Sequence, residues 1–113
     1  MAIKVLIKRR IQEGKTREAF ALLNKMRAHA MEQPGYISGE TLINHDDPRE
    51  ILVISMWQSP ENWLKWKDNR ERKANETIFE RYLEGPTEYG AYVLGTHPIK
   101  KTTRKLNRDL KQI

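Results

Sequence analysis

The sequence predicts an α+β domain in which a four-stranded antiparallel sheet carries helices on one side. Three observations predict it. Ile3, Val5, Ile7 and Ile11 alternate with Lys4, Lys8 and Arg10, the period of a half-buried strand. Ala19, Leu22, Leu23, Met26 and Ala30 recur at i, i+3, i+4, i+7 and i+11, one apolar stripe of a helix. The stretch from Pro34 to Trp66 then holds two strand-like runs that hand directly into an aromatic-bearing helix.

Taken in order, the first strand covers Ala2 to Ile11, with Leu6 among the charged set and Arg9 interrupting the apolar one. Glu13-Gly14-Lys15 is a turn, and Thr16 is the expected N-cap of the first helix. That helix stops near Glu32, because Pro34 disfavours helical geometry at Gln33. Tyr36 to Asn44 is the second strand, with Ile37 and Ile43 on one face and Tyr36 and Leu42 on the other. Gly39 marks a bulge or a close approach within it. The polar segment from His45 to Glu50 is a hairpin turn. Ile51 to Trp57 is apolar on both faces and reads as a central, covered strand. Ser59 caps the next helix, Pro60 takes its first position and Glu61 suits its positive end. The charged stretch Lys67 to Lys73 is a place for a kink or interruption. Ile78, Phe79, Tyr82 and Leu83 form a second stripe, which is expected to run to Gly85-Pro86. Tyr89 to Leu94 is the last strand.

The order strand, helix, strand, strand, helix, strand is the split βαβ, or ferredoxin-like βαββαβ, pattern. Two helices cover one face of such a sheet. Leu6, Leu42, Leu52, Ile54, Tyr92 and Leu94 lie opposite the other apolar sets and need a second cover. The expectation is a homodimer whose sheets enclose a shared core, with Tyr36 and Tyr92 on the interior face.

Composition narrows the function classes. The 113 residues fit one domain, 1–97, followed by a tail, 98–113. The net charge of +6 resides mostly in that tail, where six basic residues meet only Asp109. The body is therefore close to neutral. Ile99, Thr103, Leu106, Leu110 and Ile113 give the tail a helical stripe. It reads as a docked amphipathic helix, with nucleic-acid binding the less favoured alternative because no aromatic residues interleave the charges. There is no cysteine, so thiolate chemistry is excluded. His29, His45 and His97 lack metal-ligand spacing, and neither a Gly-rich phosphate loop nor a GxSxG element is present. No apolar run approaches the roughly 20 residues of a membrane span, so a cytoplasmic protein is expected.

Pro34-Gly35-Tyr36, the polar hairpin, Met56-Trp57, Ser59-Pro60-Glu61 and Trp66 together resemble the antibiotic biosynthesis monooxygenase (ABM) domain, over roughly Ala2 to Gly95. The resemblance implies a dimeric α+β barrel. It also implies a small monooxygenase that oxygenates an aromatic or quinone-type molecule without metal, flavin or other cofactor. In that branch an Asn and a Trp four residues apart belong to the site, and Asn62 and Trp66 match them as candidate catalytic residues. The partner Tyr of the family is not matched, since Arg70, Glu71 and Arg72 stand in the comparable region. The haem-degrading branch of the family does not fit: the first strand offers Ile7 or Lys8 for its Asn, and no His follows Trp66 until His97. Tyr36, Tyr92 and Trp57 are the candidate substrate contacts. Each residue also has a plain structural reading: Trp57 and Trp66 as core, Asn62 as a helix-end residue, the tyrosines as buried phenols with partners. The alternative function is a non-catalytic dimer of the same fold that binds a small ligand or serves a regulatory role.

Overall fold

The computed structural model describes residues 1–95; the basic tail and His97 lie outside them. Seven elements follow one another: β1 (Ile3–Arg10), α1 (Thr16–Met31), β2 (Tyr36–Ile43), β3 (Glu50–Trp57), α2 (Pro60–Lys67), α3 (Arg70–Glu80) and β4 (Glu88–Val93). The strands form one sheet in the order β2-β3-β1-β4, with every neighbouring pair antiparallel. This is the expected ferredoxin-like arrangement, with its second helix broken in two. The break falls in the charged stretch: α2 closes at Lys67, and Asn69 starts α3 by accepting the backbone N–H groups of Glu71 and Arg72.

The period-two pattern of β1 becomes a two-faced strand. Ile3, Val5, Ile7 and Arg9 are buried under the helices, while Lys4 and Lys8 are exposed. The helix-covered layer holds two clusters. Trp57, Trp63 and Trp66 pack with Ile3, Val5, Ile7 and Ala91 at one end. Ala19, Leu23 and Met26 of α1 pack with Ile11, Ile51, Phe79 and Leu83 at the other. Burying each large side chain contributes about 1.5–3 kcal/mol, so these clusters hold both helical segments to the sheet.

Three local expectations are corrected. Thr16 is the first helical residue and not the cap; Gly14, with φ +82°, tightens the preceding turn, and Lys15 takes the boundary position with no side-chain cap bond. Helix α3 ends at Glu80, well before Gly85. There Gln12 N–H donates to the Tyr82 carbonyl and Glu84 N–H to that of Arg10, so the chain leaves the helix to bridge Ile11 and Leu83. Tyr36 and Leu42 do not share a face. A bulge between Tyr36 and Ser38 shifts the register, pairs Tyr36 with Trp57 and turns its ring under the helices, while Leu42 pairs with Leu52 on the open face. Strand β3 is central, but within one chain only one of its faces is covered; Leu52, Ile54 and Met56 on the other are half-buried. Among the described residues, no helix is long and apolar enough to cross a membrane.

Candidate active site

A cavity of about 60 Å³ lies between the sheet and the helices. All three tryptophans of the chain border it, Trp57 from the end of β3 and Trp63 and Trp66 from α2. They are placed there by sequence spacing. Trp63 and Trp66 stand three residues apart, on one face of α2. Ser59 fixes the start of that helix by accepting the Asn62 N–H at 3.2 Å. Trp57 donates its indole N–H to Ser55 Oγ at 3.0 Å, which orients the ring. Tyr36 meets Trp57 edge to face, with ring centres 5.3 Å apart. Gly39 completes this wall, because a Cβ there would lie 2.3 Å from the Tyr36 hydroxyl oxygen. The aromatic rings thus form an apolar slot with a phenol at its edge.

The opposite wall is charged. Arg9, 2% exposed, pairs with Glu76 of α3. Arg72 reaches the same carboxylate oxygen at 3.3 Å. It also donates to the Tyr89 hydroxyl at 3.0 Å and to the Lys67 carbonyl at 3.3 Å. Its guanidinium lies over the Trp63 ring, 5.3 Å from the centroid. Burial holds the Arg9 guanidinium below its ordinary value, with Glu76 pulling the other way. Lys67 is likewise buried, 4.0 Å above the Tyr89 ring; desolvation, with the Arg72 charge beside it, brings its ammonium down to about 8 against the opposing pull of Glu76. Outside this wall an open groove of about 750 Å³ runs past Lys67, Lys73 and Thr87, and Arg72 and Glu76 border both hollows.

Of the residues singled out in the sequence, Trp66, Trp57 and Tyr36 come together around the cavity. Asn62 does not line it. Its side chain accepts from Ser59 Oγ at 2.6 Å and packs against Gly35, at the entrance to α2. Tyr92 is on the other face of the sheet from Tyr36, a correction to the shared interior face expected for the two. Strand β4 alternates, so Tyr89 and Ala91 face the helices, while Tyr92 is 53% exposed and lies back over Gly90. Arg72, Glu76 and Tyr89 were not identified as site residues in advance. A usable signal exists: Arg72, Asn75, Glu76 and Phe79 form the inward stripe of α3, polar at one end, just as Arg9 interrupts the apolar set of β1. No cluster of His, Asp or Glu among the described residues has the makings of a metal site. His29 pairs with Glu71, and His45 is exposed beside Asp46.

Comparison with known proteins follows the same lines. A family model described as antibiotic biosynthesis monooxygenase matches residues 2–76. The curated protein SchA of Streptomyces halstedii is 24% identical over 98 residues, which are 87% of this chain but only 23% of that protein's length. Among solved structures, SnoaB, a cofactor-independent oxygenase from Streptomyces nogalater, superposes with a TM-score of 0.76 at 14% identity, covering 85% of this chain and 95% of SnoaB. A conserved protein from Methanosarcina mazei Go1 gives 0.77 at 17% identity, covering 81% of this chain and 91% of the other. At these identities the two structures establish the shared fold.

Proposed function

Since this chain belongs to the antibiotic biosynthesis monooxygenase family, we propose that it is a small oxygenase that works without a cofactor on an aromatic or quinol-type molecule held between the tryptophans and the charged wall. The observation that carries this reading is the cavity itself: an aromatic slot, closed on one side by buried guanidinium groups. Trp57 and Trp66 would clamp a flat ring, and Tyr36 would contact its polar edge. Asn62 would act at one remove, by fixing the start of the helix that carries Trp66. Tyr92, on the open face, belongs to the surface where a second copy would cover Leu52, Ile54 and Met56, so the functional unit in this reading is a homodimer.

The chemistry asks for little from the protein. A ring CH₂ conjugated to a phenol becomes a carbonyl when dioxygen adds to the deprotonated carbon; one oxygen atom stays, and the other leaves as water with the two hydrogens. All electrons come from the substrate, so no external reductant is needed. The protein supplies positioning and positive charge that stabilises the substrate anion. The cavity as it stands is smaller than the roughly 300–1,000 Å³ of drug-sized ligand pockets. A polycyclic substrate therefore requires bordering side chains such as Met26 and Arg27 to swing aside. The test is oxygen uptake by the purified protein across a panel of phenols, anthrones and quinols. Stoichiometric uptake with conversion to the carbonyl product supports the reading, and binding without uptake refutes it.

One observation favours a second reading, a non-catalytic ligand-binding protein. Where the family's oxygenase branch implies a phenol, this chain has the buried Arg72, already engaged by Glu76 and Tyr89. Ligand-induced stabilisation with no oxygen consumed would establish that alternative.

A further inference from the structure

The cavity is lined by three guanidinium groups, Arg9, Arg27 and Arg72, and by one carboxylate, Glu76. The ion pairs of Arg9 and of Arg72 both end on the same Glu76 oxygen. Arg27 is turned to Thr41 Oγ1 and gains no negative charge there. Arg9 is buried, and its Nε has no hydrogen-bond partner. Buried charge is costly unless it is paired, and one carboxylate shared between two guanidinium groups leaves positive charge in excess. Arginine also presents a planar fork suited to two oxygens in one plane.

We propose that Arg9 and Arg72 form an anion-binding end of the cavity, and that the ligand carries an ionised oxygen group, carboxylate or phenolate, directly on its aromatic ring. The ring lies among the tryptophans, and the oxyanion takes donor positions that Glu76 leaves unfilled. The inference rests on the functional reading above only in placing a ring in the slot. Glu76 is then an internal counter-ion that holds the arginines in place when no ligand is bound and competes with the ligand when one arrives.

The experiment is an NMR titration of the three tryptophan indole N–H signals with benzoate, benzamide and phenol. Benzoate and benzamide have nearly the same shape and differ in charge. The expected result is that benzoate binds at least about tenfold more tightly than benzamide, as a charge-assisted bidentate contact requires. In Arg9→Gln and in Arg72→Gln that preference falls to roughly threefold or less. Glu76→Gln moves the other way and raises the preference for benzoate over benzamide; a purely structural role for the cluster would weaken both alike. Phenol identifies the source of the oxyanion: a phenolate absorbance band on binding at neutral pH assigns the site to ionised phenols, and its absence, with benzoate preferred, assigns it to carboxylates. Equal binding of benzoate and benzamide by the unaltered protein, with phenol bound un-ionised, overturns the anion site; whether the protein is an oxygenase is decided separately, by oxygen uptake. Failure of all three probes to shift any indole signal also overturns it. The comparison within the unaltered protein needs no variant to fold.

Discussion

Gly35 and Asn62 are in direct contact across the entrance to α2: a Cβ on Gly35 would fall 2.3 Å from Asn62 Cγ. Gly35 has φ +85°, and its carbonyl accepts the Gln58 N–H at 2.8 Å. The loop before β2 and the end of β3 are thereby locked to the first turn of the helix that carries Trp63 and Trp66. Gly35→Ala should combine backbone strain with that clash and destabilise the protein by about 1–3 kcal/mol. Adding Asn62→Ala removes Cγ and Oδ1 from the clash but leaves the residue-62 Cβ 2.6 Å from the new methyl, so the double variant should regain only a small part of the lost urea midpoint.

Ser59 is the hydroxyl on which that first turn hangs. Ser59→Ala removes the acceptor for the Asn62 N–H and the donor to Asn62 Oδ1. A loss of about 1 kcal/mol is expected from the missing cap, read as a lowered denaturation midpoint with an unchanged slope.

Trp66 is too deeply buried for a clean alanine test, since Trp→Ala in a core costs about 3–5 kcal/mol. Trp66→Phe keeps an aromatic ring and should stay folded. If Trp66 clamps the substrate, oxygen uptake should fall roughly tenfold or more through lost positioning. A folded Trp66→Phe protein with full turnover would show that the indole is core alone.

Lys67 gives the stability a pH dependence of definite sign. Its folded pKa is about 8, against an ordinary 10.5. Between those values the unfolded chain holds a proton that the folded chain has shed, so stability rises with pH across that window. Below about 8 both states are protonated, and the penalty for burying the ammonium is fully present. Lys67→Met removes the titrating group. The stability of the unaltered protein relative to Lys67→Met should therefore improve by roughly 1–2 kcal/mol between pH 7.5 and 9.5, measured by urea unfolding at both pH values.

The uncovered face of the sheet leads to a prediction about assembly. Leu52 and Leu42 pair across β3 and β2 on that face, and Leu42 is exposed. A dimer through this face predicts a solution mass of two chains and a monomer for Leu52→Glu, both measurable by light scattering. A single-chain mass for the unaltered protein at micromolar concentration would remove the dimer.

Much of the fold was legible because the apolar residues keep strict periods. The alternation of Ile3, Val5 and Ile7 and the stripe of Ala19, Leu23 and Met26 each dictated an element and its buried face. The β2 faces were not legible, because a bulge is a one-residue register change that leaves composition untouched; Gly39 hinted at it, but only the pairing of Tyr36 with Trp57 locates it. The aromatic half of the candidate site was visible as Trp57, Trp66 and Tyr36. Its charged half was hidden by the rule that polar helix positions face water. Arg72 and Glu76 break that rule, and what redeems them is Arg9, some sixty residues earlier in the chain. A partnership over that distance is a property of the tertiary structure.

Arg72 and Glu76 stand one helical turn apart and border both the inner cavity and the outer groove. The partition between interior and exterior is, at that point, a pair of side chains. A rotamer change of these two side chains would join the hollows without any movement of the backbone, whereas the opening of a loop or domain takes microseconds or longer.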